Sequence, residues 1–185
     1  MNRIQLSTNF YLDEFLVSET AARHGITITV EPGSEEFKNL ERLCKQVLQP
    51  IRDHFDSAVT VISGYRPPKV NRLVDGSKRS AHMQGLAADI RVAGVSPYRV
   101  CQWVADNLDN RRYTSKKMQL VNKRLPVDQC IHEFGQWVHL GMIAQPHKPR
   151  LQLLTAYKRK SRIPGLRPKT VYTQGIHRIS DLIKG

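Results

Sequence analysis

Residues 80–90 read SAHMQGLAADI, and residues 137–140 read WVHL. Apolar residues alternate with others from residue 86 to residue 92, which is typical of a β-strand with one apolar face, and Asp89 falls on the opposite face. The same alternation over residues 137–142 turns His139 away from the apolar side. We therefore predict two neighbouring strands that present Asp89 and His139 side by side.

A third side chain, His82, lies in the loop before the first of these strands. A catalytic zinc is commonly held by three nitrogen or oxygen ligands, with a fourth position left open for water. His82, Asp89 and His139 could supply those three ligands, so we predict a zinc site. Zinc held there would lower the pKa of a bound water and polarise a peptide carbonyl.

The motif at residues 80–89, the Trp-Val-His at residues 137–139 and the Ser-Gly-Tyr-Arg-Pro at residues 63–67 together resemble a known family. It is that of the zinc D-alanyl-D-alanine carboxypeptidases and murein endopeptidases, which includes phage endolysins. The likeness runs over roughly residues 8–145. It implies a zinc peptidase that hydrolyses amide bonds in bacterial peptidoglycan stem peptides.

The general base is less clearly indicated than the ligands. The resemblance implies a carboxylate or histidine shortly before the last ligand, often three residues ahead of it, where this chain has Gln136, which cannot take a proton. Glu133 matches the glutamate of phage-type members. A two-residue turn at 135–136 would instead put His132 on the same face as His139, and a bulge at Gly135 would reverse that parity. We favour Glu133 and keep His132 as the alternative.

Three further residues are candidates for substrate binding. The planar guanidinium of Arg66 suits a substrate carboxylate or the oxyanion of a tetrahedral intermediate, and the resemblance implies the same role. Ser80 could hydrogen-bond substrate or orient the His82 loop. Trp137, beside the ligand strand, is expected to form a wall of the site.

The chain has 185 residues, which suits one domain with a real core. Helical periodicity over residues 10–23 and 34–51, together with the strands, predicts an α+β domain in which helices pack on a central antiparallel sheet. We place this domain at residues 1–145. Residues 146–185, basic and interrupted by prolines, are predicted to be an extension that is laid over it or partly disordered, and not a second domain.

Charge and cysteine content limit the partners. Lys and Arg number 29 against 16 Asp and Glu, a formal net charge of +13, so the surface should attract polyanions. We expect the basic extension to bind an anionic cell envelope, and no motif indicates specific nucleic-acid binding. The 3 cysteines, at scattered spacing, predict core packing in a reducing compartment and not a disulfide framework.

These features favour a phage lysin acting as an endopeptidase. Alternatives are a D-alanyl-D-alanine carboxypeptidase and a non-catalytic zinc-containing module that binds the virion or envelope. No window approaches a membrane span or a signal peptide. We therefore expect a monomer that stays in the cytoplasm of the producing cell until it is released to the wall, or one that is carried with the virion.

Overall fold

The computed structural model describes residues 3–108, 125–161 and 165–183. The strands in these ranges are β1 (Gln5–Ser7), β2 (Phe10–Tyr11), β3 (Val59–Ser63), β4 (Ala87–Val92), β5 (Gln129–Glu133), β6 (Trp137–Gly141), β7 (Gln152–Arg159) and β8 (Lys169–Gln174). The helices are α1 (Glu19–Arg23), α2 (Glu35–Leu43), α3 (Gln49–Phe55), α4 (Pro68–Leu73), α5 (Pro97–Leu108) and α6 (Ile179–Leu182). Within the described ranges, none of the helices is both long and apolar enough to cross a membrane.

The main sheet has six strands in the order β3-β4-β6-β5-β7-β8. Its apolar face, with Ala88, Ile90, Val138 and Leu140, joins the side chains of α2, α3 and α5 in one buried core. The predicted α+β class and the helix-covered sheet are confirmed. Neighbouring strands are antiparallel except β5 and β7, which are parallel because the chain passes to the far side of β5 after β6.

The helix predicted over residues 34–51 forms, but its middle is widened. The Ser34 hydroxyl accepts from the Phe37 N–H and caps the N-terminus of α2. A π-helical turn at Cys44–Leu48 separates α2 from α3. Pro50 lies at the start of α3 and has no N–H to donate to the preceding turn, which accounts for the local change of pitch. The three cysteines are free and buried, as predicted.

The single helix predicted over residues 10–23 is wrong. That segment forms β2, a 3-10 turn at Leu12–Phe15, and then α1, which begins after Ser18. The Ser18 hydroxyl accepts from the Ala21 N–H, and that cap starts a new helix instead of continuing an old one. The Phe15 carbonyl accepts from the Tyr65 N–H at 2.8 Å, so this segment braces the loop that precedes Arg66.

The segment predicted to be an extension supplies the last two strands of the sheet. β7 pairs with β5 and β8 pairs with β7, so this part of the chain continues the sheet and does not simply lie over it. The Phe134 N–H donates to the Ala156 carbonyl at 2.9 Å, which ties β7 to the β5–β6 turn. The boundary of the domain at residue 145 stays a prediction.

A buried carboxylate fixes the start of β7. Asp128 is 5% exposed and accepts from both the backbone and the guanidinium of Arg150, while its own carbonyl accepts from the Gln152 N–H. Burial by itself raises the pKa of Asp128, but the hydrogen bonds and charge of Arg150 bring it below the ordinary aspartate value. The ionised form is therefore favoured in the folded state.

Asp128→Asn is expected to lower the free energy of unfolding at neutral pH by about 1–3 kcal/mol, the usual worth of hydrogen bonds to a charged group. Because the folded pKa of Asp128 is depressed, this stability is fully present above the unfolded value of about 4 and is lost as pH falls through the folded pKa. Urea unfolding of parent and variant at pH 7 and in acid measures the difference.

The exposed Arg3–Asp13 pair offers a matched control. Asp13→Asn should change the free energy of unfolding by less than about 1 kcal/mol, because exposed ion pairs are weak. A gap between the parent and Asp128→Asn that stays constant into strong acid would contradict the role assigned to this carboxylate.

Candidate metal centre and active site

Asp89 and His139 face each other across adjacent strands. They are register partners in the β4–β6 pair, and the His139 Nδ1 lies 2.8 Å from the Asp89 Oδ1. Directly opposed residues point to the same face of a sheet, so both side chains leave the face opposite the core. The predicted side-by-side placement is confirmed.

His82 reaches the same point from a 3-10 turn at Ala81–Gln84. The turn ends at Gly85, where φ is +67° and an added Cβ would lie 2.6 Å from the Glu36 carbonyl, so glycine is required. The His82 Nδ1 lies 2.8 Å from the Gly64 carbonyl oxygen. Because a carbonyl can only accept, Nδ1 carries the hydrogen and Nε2 presents its lone pair towards Asp89 and His139.

The three donor atoms lie close enough together to share one metal ion, and two of their three separations match a tetrahedral zinc while the His139–Asp89 separation of 2.8 Å is shorter. The His82 Nε2 lies 3.2 Å from the His139 Nδ1 and 3.4 Å from the Asp89 Oδ1. Two ligand atoms that are each about 2.0–2.1 Å from a tetrahedral zinc lie about 3.3 Å apart. An Nε2 lone pair that faces a carboxylate oxygen without a hydrogen between them also calls for a cation, since both groups are acceptors. These residues therefore could hold a metal ion.

The shifted pKa values of His82 and Asp89 favour the protonation states that bind a metal ion. Burial lowers the pKa of His82 and keeps it neutral, although the nearby Asp89 charge opposes this. Burial raises the pKa of Asp89, but both histidines outweigh burial and the net pKa lies well below the ordinary aspartate value. Neutral imidazole and ionised carboxylate are the forms that bind metal.

The turn between β5 and β6 decides which base candidate faces the metal group. Glu133 pairs with Trp137, and Ile131 pairs with His139, so the turn comprises the three residues 134–136. Phe134 and Gly135 both have positive φ, at 56° and 71°. The extra residue puts Glu133 on the same face as His139.

The two-residue turn that would have favoured His132 is therefore wrong. His132 pairs with Val138 on the core side of the sheet. It is buried, and its Nδ1 lies 2.9 Å from the His177 carbonyl oxygen, to which it donates. Its ring lies 5.9 Å from that of Tyr98 on α5. His132 thus faces away from Asp89 and His139.

Glu133 lies in the field of the metal group. Burial raises its pKa, and the charge of Asp89 acts in the same direction, while His139, a hydrogen bond from Trp137 and the charge of Arg66 oppose the rise. The net pKa lies above the ordinary glutamate value, and a carboxylate with a raised pKa is a stronger proton acceptor. Trp137 can donate only through its indole N–H, so that group is the one that favours the ionised carboxylate.

Arg66 is placed to bind an anion beside the metal group. Its backbone N–H donates to the His82 carbonyl at 3.1 Å, and its guanidinium interacts with the charges of Asp89 and Glu133. The Arg66 Nε is buried and has no hydrogen-bond partner among the described residues. Ser80 lies at the start of the His82 turn and makes no side-chain cap, so its predicted contact with substrate stays a prediction.

Two supporting features escaped prediction. The Gly64 carbonyl orients His82, and an added Cβ at Gly64 would lie 2.5 Å from the Phe15 Cα, so the loop requires glycine there. The left-handed Phe134 sets the turn register, and phenylalanine gives no sequence signal for positive φ. The quoted Ser-Gly-Tyr-Arg motif was the one available sign of the Gly64 contact.

Comparison with protein families gives a match. A family model described as Peptidase M15 matches residues 8–119, which is more than half of the chain. The match includes Arg66, His82 and Asp89, and it ends before Glu133 and His139. Curated proteins give no match. Peptidases of the M15 family are zinc-dependent, in agreement with the donor set described above.

Proposed function

The chain belongs to the peptidase M15 family, and we propose that it is a zinc endopeptidase that cuts peptidoglycan stem peptides as a phage lysin. The family supports the coarser statement, a zinc peptidase acting on peptidoglycan-type substrates. The observation that carries the proposal is the position of Glu133. This carboxylate lies on the same sheet face as Asp89 and His139, one strand away from the metal group.

Each residue then has a distinct task. Zinc held by His82, Asp89 and His139 would supply Lewis-acid polarisation and an activated water. Glu133 accepts a proton from the attacking water and later donates it to the leaving amine. Trp137 is the cross-strand partner of Glu133, and its indole N–H favours the ionised carboxylate. Arg66 stabilises negative charge that develops on the carbonyl oxygen, or holds a substrate carboxylate.

Two alternatives each rest on one observation. The Arg66 guanidinium lies within the electrostatic reach of Asp89 and Glu133 and would suit the terminal carboxylate of a substrate, which favours a D-alanyl-D-alanine carboxypeptidase. Gln136 stands where the resemblance implies a base, which favours a non-catalytic zinc module. Gln136 is an exposed turn residue whose carbonyl accepts from Arg91 at 3.0 Å, and Glu133 supplies the base on the metal side. We therefore retain the catalytic assignment over the non-catalytic zinc module.

Digestion of purified peptidoglycan tests the proposal and its rivals. We expect the zinc-loaded protein to release fragments whose new amino and carboxyl ends, identified by mass spectrometry, lie within cross-linked stem peptides. The same protein with its metal chelated serves as the control and should release none. Release of terminal D-alanine alone would establish the carboxypeptidase instead. Zinc binding with no cleavage of any stem peptide would contradict the enzyme and favour the binding module.

The proposal includes a route to the substrate. The net charge of +13 and the basic strands β7 and β8 favour contact with an anionic envelope, after release from the cytoplasm of the producing cell or from a virion. Arg159 and Lys169 are direct cross-strand partners, and like charges at such positions repel unless an anion lies nearby. Co-sedimentation with envelope fragments that does not weaken as salt rises would contradict this route.

A further inference from the structure

A row of side chains runs from the candidate base to the free edge of the sheet. Glu133 on β5 pairs with Ala156 on β7, and Ala156 pairs with Tyr172 on β8. Residues paired across neighbouring strands share a face, so Tyr172 lies on the same face as Glu133, Asp89 and His139. A single small residue, Ala156, separates Tyr172 from the candidate base.

Tyr172 is open to solvent and yet close to the metal group. Tyr172 is 55% exposed, while Ala156, which lies between Tyr172 and Glu133 in the row, is fully buried. Partial burial raises the pKa of Tyr172, and the charges of Glu133 and Asp89 raise it further. The phenol ring therefore lies within electrostatic reach of the reacting groups, and it stays available to a ligand.

Other side chains extend the row into a surface. The rings of Phe134 and Trp137 meet edge to face with centroids 5.5 Å apart. The Lys158 ammonium lies 5.2 Å from the Phe134 ring centroid and donates to the Thr170 hydroxyl at 2.7 Å. We call the surface of Phe134, Trp137, Lys158 and Tyr172 the hairpin shelf. Lys158 and Tyr172 lie on the side of Glu133 away from β4, and Trp137 is the cross-strand partner of Glu133 on β6.

We propose that the hairpin shelf binds the substrate peptide beyond the bond that is cut, with the Tyr172 ring packed against the peptide chain. This inference rests on the proposed function and names the part of the site that selects long peptides. A flat aromatic surface suits an extended peptide of small residues, because a ring supplies large contact area with few rotatable bonds. Lys158 and Tyr172 lie beyond both the matched segment at residues 8–119 and the resemblance that ends near residue 145.

Tyr157 provides a matched control on the same hairpin. It lies on β7 next to Ala156 and pairs with Val171, so its side chain points to the opposite face from Tyr172. Threonine is enriched in strands, as tyrosine is, so Tyr172→Thr and Tyr157→Thr each remove a ring and leave a residue that suits a strand. Melting curves of both variants verify that the fold is kept.

The experiment compares a full stem peptide with a short peptide that contains only the residues on either side of the cut bond. With the full peptide, Tyr172→Thr should raise KM about 5–10-fold with kcat within about twofold of the parent, the sign of binding lost equally in ground and transition states. With the short peptide Tyr172→Thr should match the parent. Tyr157→Thr should match the parent with both.

Titration calorimetry of the same full peptide into zinc-loaded Glu133→Gln, with and without Tyr172→Thr, measures binding without turnover. If the parent cleaves the peptide and Tyr172→Thr changes neither the KM of the active protein nor the dissociation constant of Glu133→Gln, the proposed role of the hairpin shelf is wrong. The peptidase assignment would then stand. A parent that binds without cleaving would overturn the peptidase, and a weaker dissociation constant with Tyr172→Thr would still support the shelf. A parent that neither binds nor cleaves overturns both.

Discussion

His82→Ala and His139→Ala are each expected to reduce zinc affinity by more than about 100-fold, because the loss of even an outer hydrogen-bond partner of a metal ligand costs about 10–100-fold. The parent should purify with about one zinc per chain, as a three-ligand site would hold. Hydrolysis should fall to background in both variants, since Glu133 would have no activated water to deprotonate. Zinc content by mass spectrometry, read beside activity, measures both effects.

Stability gives a second measure that does not depend on activity. A metal that binds only the folded state raises stability by about 2.7 kcal/mol at a free concentration 100 times its dissociation constant. Chelation should therefore lower the melting temperature of the parent and leave those of His82→Ala and His139→Ala unchanged.

His132→Ala is the matched control for the ligand variants. His132 is another buried histidine, and it lies on the strand next to His139 but faces the core side of the sheet. We expect it to keep its zinc. Stoichiometric zinc at parent affinity in both His82→Ala and His139→Ala would remove the metal assignment.

The positions of Asp89 and His139 were predictable because they depend on a period of two. Alternation fixes the face of each residue along its own strand, and it does not depend on which strands are neighbours. The pairing of β4 with β6 then brings Asp89 and His139 together in direct register. His82 was predictable as a third ligand from its residue type and its place ahead of β4, and its orientation by Gly64 was not.

The choice between Glu133 and His132 was not predictable from the same rule. A turn of two residues and a turn of three differ by one position, and that position reverses every side chain of β5 relative to β6. The three-residue turn needs positive φ at Phe134, which sequence does not reveal. A hydrogen bond from the Phe134 N–H to the Ala156 carbonyl supports this turn. Ala156 lies on a strand that is distant in sequence, so a local rule does not reveal the contact.

The C-terminal extension, residues 146–185, was predicted to lie over the domain, and part of it instead continues the sheet as β7 and β8. Lys and Arg make up 8 of the 24 residues 146–169, with no Asp or Glu among them, and such a charge run usually indicates a solvated segment. Yet residues 152–157 also include Thr155 and Tyr157, residue types that favour strands, and Thr155 and Ala156 are fully buried. Parallel pairing with β5 depends on contacts far apart in the chain, which local composition does not show.

Glu133→Gln is expected to keep the fold and the zinc and to lower kcat by about two to four orders of magnitude, the usual contribution of a positioned general base. Glutamine preserves the size of the side chain and can still accept from the Trp137 indole, so loss of the proton acceptor is the main change. Steady-state hydrolysis of a soluble stem peptide, with zinc content measured on the same samples, gives the result.

His132→Ala completes the comparison, because it is the other base candidate and lies on the opposite face of the same strand. Assayed well below its own melting temperature, it should retain kcat within a few-fold of the parent, since it touches neither Asp89 nor His139. The reverse ranking, with Glu133→Gln almost fully active and His132→Ala inactive but zinc-loaded, would mean that the β5–β6 register differs in the working protein. Glu133 and His132 are adjacent on one strand and point to opposite faces, so the strand can present only one of them to the metal. The register observed for β5 and β6 presents Glu133.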